Sequence, residues 1–235
     1  MTIRLVIPSA PRVSAELAVK HPWWQWLASF NVAVSSNVPV ARVHEAESEG
    51  VMMRWGLLLR REGEDKPRFG PALIASDSLL GSTELRSVWL NGQRGIVPVA
   101  GFYVWQHTAS GLRQPYYLYL AHRRVFGVAA VWQRCTNSED DVIESCALVM
   151  VPANPLLLEL NNASGRMPLI LRPEATELWL RSNVASANEL LRPDSTEEIS
   201  AHAVGPYVNL ASYDGPELTH AVSPHRCQIL LHARE

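Results

Sequence analysis

Residues Gly95–Gln106 read Gly-Ile-Val-Pro-Val-Ala-Gly-Phe-Tyr-Val-Trp-Gln. The run is β-branched and aromatic, and Gly and Pro punctuate it. That composition suits a pleated, half-buried surface, so the segment is predicted to be extended. Similar runs surround it at Val51–Leu59, Pro115–Leu120, Val125–Trp132 and Val142–Val151. Arg113-Gln114-Pro115 and Ala121–Arg124 read as turns between them. This spacing fits an antiparallel meander or a small barrel.

Helical signals are fewer. Asp77–Leu90 places Leu79, Leu80, Leu85 and Leu90 against a polar opposite side, despite Gly81. Asn154-Pro155 supplies an N-cap followed by Pro at the first helical position. Pro173–Arg181 begins with Pro and acids and ends with Arg, as the helix dipole prefers. Val184–Leu191 is a weaker helix, and Trp23, Trp24 and Trp26 are read as the buried face of a first one. Strands and helices alternate without a βαβ rhythm. The prediction is one α+β domain over residues 1–235, β-rich at its centre.

Hydrophobic residues make up 47% of the 235 and charged residues 19%, enough apolar material for a core and too much for a disordered chain. No apolar run approaches a membrane span, the first residues make a poor secretory signal, and three Cys make no disulfide framework. A cytoplasmic protein is expected, with no membrane partner. The net charge of −2 gives no global basic field. No phosphate-binding glycine loop, nucleophile elbow or metal-ligand spacing is present, so neither cofactor nor metal is expected. The residues alone thus specify a fold class and little chemistry.

A set of short segments, in order, carries more. They are Arg4, Asn31-Val32-Ala33, Arg54-Trp55-Gly56-Leu57, Pro98–Trp105, Gln114-Pro115-Tyr116, Gly127–Trp132, Ala153–Leu157, Arg166–Leu171 and Val208-Asn209 with Gly215–Leu218. Together they resemble the SOS response-associated peptidase (SRAP) family, whose members shield abasic sites in single-stranded DNA by covalent attachment. The resemblance implies a distorted central β-barrel, or bifurcated antiparallel sheet, with peripheral helices. It also implies single-stranded DNA as a partner; a monomer is expected.

The departures from the family pattern bear on function. The family's N-terminal Cys is Thr2 here, its Asn is Ile74, its catalytic Glu is Val104, and its His falls on Ser164 or, with a short insertion, Asn161. Neither Ser nor Asn shuttles a proton near neutral pH as His does. Ile74 and Val104 are expected in apolar contact, because replacing a whole buried polar network by apolar groups can be neutral where removing one partner is costly. Arg4 and Arg166 are retained at positions where the resemblance implies phosphate contacts. Arg54 and Trp55 are candidates beside them, Trp55 as a base-stacking surface. Phe102 and Trp105 are assigned to the core, and Asn31 and Asn209 to structural roles. The expected function is a non-catalytic family member that binds single-stranded or abasic-site DNA weakly, in a DNA-damage or phage-related setting. The alternatives are an active crosslinking or autoproteolytic enzyme using Thr2, and an interaction protein that does not bind DNA.

Overall fold

The computed structural model describes residues 3–17, 25–59, 67–107, 111, 113–136, 141–160, 164–193 and 199–223. In chain order its first half contains β1 (Arg4–Ile7), α1 (Ala10–Leu17), β2 (Ser29–Val32), β3 (Asn37–His44), β4 (Glu47–Trp55), β5 (Leu58–Leu59), β6 (Arg68–Phe69), β7 (Leu73–Ala75), α2 (Ser76–Gly81), α3 (Thr83–Leu90) and β8 (Arg94–Val99). The second half contains β9 (Gly101–His107), β10 (Arg113–Leu120), β11 (Phe126–Thr136), β12 (Val142–Pro152), α4 (Pro155–Glu159), β13 (Arg166–Pro168), β14 (Ile170–Leu171), α5 (Pro173–Arg181), α6 (Val184–Glu189) and β15 (Ile199–Ala203). Two short 3-10 turns follow, at Pro206–Asn209 and Pro216–Thr219.

Strands β4, β3, β8, β11 and β12 pair in that order, and β12 returns to β4 in parallel, which closes a five-stranded barrel. A second sheet runs β15-β10-β9-β1-β2, antiparallel at every pair. Closure of the barrel removes its edges, the standing liability of a β-sheet. The α+β class and the central barrel are as the sequence implied.

The opening stretch joins the two sheets. It is two strands, with β8 in the barrel, β9 in the second sheet and the change of sheet at Ala100, whose N–H donates to the Val6 carbonyl. Gly101 makes the change possible. A Cβ there would lie 2.4 Å from the Tyr117 ring and 2.5 Å from the Leu118 carbonyl oxygen, so no larger residue fits.

Period-two alternation sets both faces of the second sheet. Along β1, Leu5 and Ile7 enter the main core, while Val6 joins a smaller cluster with Tyr103, Tyr117, Val204, Val208 and Leu218. The chain after β15 covers that outer face. It is tied down by Asn31 Nδ2, which donates to the Leu210 and Tyr213 carbonyls at 2.9 and 2.7 Å, and by Asp214, which accepts from the Ser29 hydroxyl at 2.8 Å and from the Phe30 N–H.

Local chemistry accounts for the helices and for where they differ from expectation. Asn154 caps α4, its Oδ1 accepting from Leu157 N–H at 3.0 Å with Pro155 next in sequence. Helix α5 has the predicted bounds. Its end is held by buried Arg94, which donates from Nε to the Trp179 carbonyl at 2.5 Å and from Nη2 to that of Ser182. The helix predicted over Asp77–Leu90 is two helices, broken at Ser82, whose backbone is extended (φ −88°, ψ 128°). Val51–Leu59 is interrupted at Gly56 (φ +134°). The turn predicted at Arg113–Pro115 is the start of β10 instead. Pro115 lies beyond the last β15 pair, Tyr116–Ala203, so its missing N–H breaks no rung there. The described first helix is Ala10–Leu17, and Trp26 is in irregular structure, not in a helix. The Trp26 indole N–H donates to the Pro8 carbonyl at 2.7 Å, and Trp23 and Trp24 lie outside the described residues. No helix among the described residues is long and apolar enough to cross a membrane.

Candidate nucleic-acid interface

Strand β2 ends at Val32 and β3 begins at Asn37. The segment running from Asn31 through the intervening loop organises the surface that the retained arginines share. Arg4 Nη1 donates to Asn31 Oδ1 at 3.0 Å, and its Nη2 reaches the Asn209 carbonyl at 3.4 Å. Partial burial draws the Arg4 pKa down from its ordinary value, yet an arginine remains a cation throughout the physiological range. Val34 walls a cavity of about 400 Å³, together with Ala72, Leu73, Ala75 and Met150. Its described polar lining is Ser164 and Arg166. Ser35, at φ +78°, accepts from Arg54 Nη2 through its hydroxyl at 3.1 Å. Arg54 also donates to the Gly56 carbonyl at 3.1 Å and stacks over the exposed Phe69 ring, 4.2 Å from its centroid. Arg4 thus meets this segment at Asn31, Arg54 meets it at Ser35, and Arg166 lines the cavity that Val34 walls.

Arg166 opens β13, opposite Pro152 on β12. Its Nη1 and Nη2 donate to Asp77 Oδ1 and Oδ2 at 2.9 and 2.6 Å, a two-pronged pair. The pairing follows from topology. Met150 on β12 is flanked by Ala75 of β7 on one side and Pro168 of β13 on the other, so the chain ends leaving β7 and entering β13 meet at the same end of β12. The guanidinium holds the Asp77 carboxyl below the usual carboxylate range.

The positions given to the family's chemistry are placed differently. Ile74 and Val104 are 2% and 3% exposed and belong to one contiguous apolar core, Ile74 opposite Val149 in β7 and Val104 opposite Tyr116 in β9. Ser164 is exposed, and its hydroxyl accepts from the Arg166 N–H at 3.2 Å. Thr2 and Asn161 lie outside the described residues.

The stacking role expected of Trp55 is corrected. Trp55 is 0% exposed and its indole N–H donates to the Ala72 carbonyl at 3.0 Å, so it has no face to offer a base. Phe102 is in the core as expected. Trp105 is only half-buried, and its indole N–H donates to Asn209 Oδ1 at 2.8 Å. Asn31 and Asn209 have the structural roles expected of them. The residues that sequence reasoning missed are Asp77, Ser35 and Phe69. Asp77 adjoins Ser76, where the family pattern has an arginine; an acid beside a lost base was the one available hint.

The family model for SRAP, the SOS response associated peptidase, matches residues 4–211. The chain belongs to this family. Three solved structures resemble this SRAP-family protein. One is a protein from Bacteroides thetaiotaomicron, with 21% identity, a TM-score of 0.82, and coverage of 95% of this chain and 100% of that one. Another is a Bordetella bronchiseptica protein, with 20% identity, a TM-score of 0.74, and coverage of 87% and 99%. The third is a phage-related protein from the same organism, with 21% identity, a TM-score of 0.64, and coverage of 86% and 93%. At these identities the likeness establishes a common fold. No curated protein matches this SRAP-family chain.

Proposed function

We propose that the chain is a non-catalytic SRAP-family protein that holds single-stranded DNA through its phosphates, weakly and without a covalent bond. The observation that carries this reading is the segment from Asn31 to Ser35: Arg4 donates to Asn31, Arg54 donates to Ser35, and Arg166 lines the cavity that Val34 walls. Phosphate contacts supply most of the affinity of such a surface. The lack of chemistry follows from the fate of Ile74 and Val104, whose side chains fill the core where the family pattern has an amide and a carboxylate. General acid–base work needs a titratable group within hydrogen-bond reach of the reacting atoms, and neither side chain has one.

Fluorescence anisotropy with labelled single-stranded DNA tests the binding. With Arg4 and Arg54 each neutralising one phosphate, the slope of log K against log salt is about −1.4, a loss of about sevenfold between 50 and 200 mM salt. Arg4→Ala with Arg54→Ala flattens that slope. Absence of binding at 50 mM salt overturns the reading in favour of an interaction protein. Incubation with an abasic-site oligonucleotide followed by denaturing electrophoresis tests the chemistry. No retained band is expected; a band that persists overturns the non-catalytic assignment and points to Thr2.

A further inference from the structure

Asp77 is 68% exposed at its side chain, yet it places both carboxylate oxygens on the two terminal nitrogens of Arg166. That is the geometry in which a guanidinium takes a phosphate, two parallel N–H···O bonds. A carboxylate and a phosphate cannot both take the Nη1–Nη2 edge in this two-pronged geometry at once. The pair also stands at the cavity edge, since Arg166 lines it and Ala75, two residues before Asp77, does too. Resting on the functional reading above, we propose that Asp77 is a built-in competitor for phosphate at Arg166, and that it sets how tightly and how salt-dependently this face takes a DNA backbone.

Two features make the competition effective without making it permanent. An exposed ion pair is weak, so a backbone phosphate held nearby through the rest of the strand can displace the carboxylate. Asp77 is fixed in place by the β7–α2 junction, however, so it returns to Arg166 whenever the phosphate leaves. The carboxylate also puts a negative charge beside the incoming backbone. Both effects weaken binding in the same direction.

Asp77→Asn removes the charge and keeps the shape. In the anisotropy assay at 50 mM salt it tightens single-stranded DNA binding by about fivefold. It also steepens the salt slope by about 0.7, the contribution of one more neutralised phosphate on a single strand. Asp77→Asn combined with Arg166→Ala loses that gain, and Asp77→Glu keeps the wild-type slope. A second measurement does not need DNA. The Arg166 Nε–H resonance is followed by NMR during titration with inorganic phosphate. In Asp77→Asn it moves at millimolar phosphate; in the wild type it moves only at several-fold higher concentration. Equal phosphate response in the two proteins overturns the role of Asp77, as does an unchanged DNA slope in Asp77→Asn when the wild type binds. If no variant binds DNA, the functional reading falls, and the phosphate titration still decides the competition. Asp77→Ser repeats both measurements should the amide variant fold poorly.

Discussion

Val104→Glu restores the carboxylate that the family pattern has at this position, and its cost follows from the surroundings. Val104 is 3% exposed, lies in the middle of β9 and belongs to the main apolar core. An uncompensated buried charge destabilises a protein by about 3–5 kcal/mol. For a chain of this size, 1 kcal/mol moves the melting temperature by about 2–4 °C, so the variant should melt roughly 6–20 °C lower at pH 8. The pH dependence gives a second signature. Burial raises the folded-state pKa of the new glutamate above its unfolded value of about 4.3. Between those two values the folded state binds more protons than the unfolded state, so stability falls as pH rises. The deficit relative to wild type is therefore smallest near pH 4.5 and grows by about 1.4 kcal/mol per pH unit until the folded-state pKa is passed. Thermal unfolding followed by circular dichroism at pH 5 and pH 8 reads both effects. A Val104→Glu variant that melts with the wild type at pH 8 would refute the reasoning, because it would mean that this position still accommodates an ionised acid.

Two further substitutions test other parts of the structure. Gly56→Ala places a Cβ 2.8 Å from Arg54 Nη1 at a backbone φ of +134°, so it should lower stability by about 1–3 kcal/mol and displace the guanidinium from Ser35 and Phe69; denaturant melts measure the first effect and a shallower salt slope the second. The β3–β4 hairpin turns through Glu45 and Ala46 at φ +49° and +68°, a left-handed pair that favours Asn-Gly; the double change Glu45→Asn with Ala46→Gly should stabilise the protein by about 1 kcal/mol or more, read as a higher denaturant midpoint at unchanged m-value.

Barrel strands β8, β11 and β12 were legible as apolar runs, and β11 and β12 are buried along most of their length; β3 was not read as a strand, and β4 starts four residues before its predicted bound, in the polar stretch from Glu47. What the sequence concealed were the interruptions. Gly56 and Ala100 each end a strand inside an apolar run: Ala100 stands where the chain passes from the barrel to the second sheet, and Gly56 where it leaves β4 for β5, which pairs with β6. The Trp55 expectation failed for a reason the sequence did contain. Arg54 and Trp55 are neighbours on one strand, and successive side chains point to opposite faces. With Met53 and Trp55 both fully buried, Arg54 is the one that emerges. The Arg166–Asp77 pair was not legible at all. Its partners are 89 positions apart and meet only because β7 and β13 flank the same end of β12.

A retained arginine is weak grounds for DNA binding by itself, because several guanidiniums in this fold have structural partners. The distinction lies in what each has left to give. Arg42 is 5% exposed, divided between Glu49 and Glu144 at 2.6 and 2.8 Å, and stacked on Trp132, so its charge is neutralised inside the barrel wall. Arg94 is equally sealed, and its Nε and Nη2 donate to carbonyls at the end of α5. Neither can meet a polyanion without unfolding. Arg4 and Arg54 donate to uncharged acceptors, the amide of Asn31, the hydroxyl of Ser35 and backbone carbonyls, and both remain partly exposed. A guanidinium carries five N–H donors and a full charge, and bonds to neutral oxygens orient it without cancelling that charge. Such a side chain is pre-positioned for phosphate at low entropic cost. Arg166 falls between the two classes, oriented and neutralised by the same exposed carboxylate. A surface built this way has one cation sealed off by a removable partner and two held ready. On the proposed reading, the affinity of this face depends less on the number of arginines than on Asp77 beside Arg166.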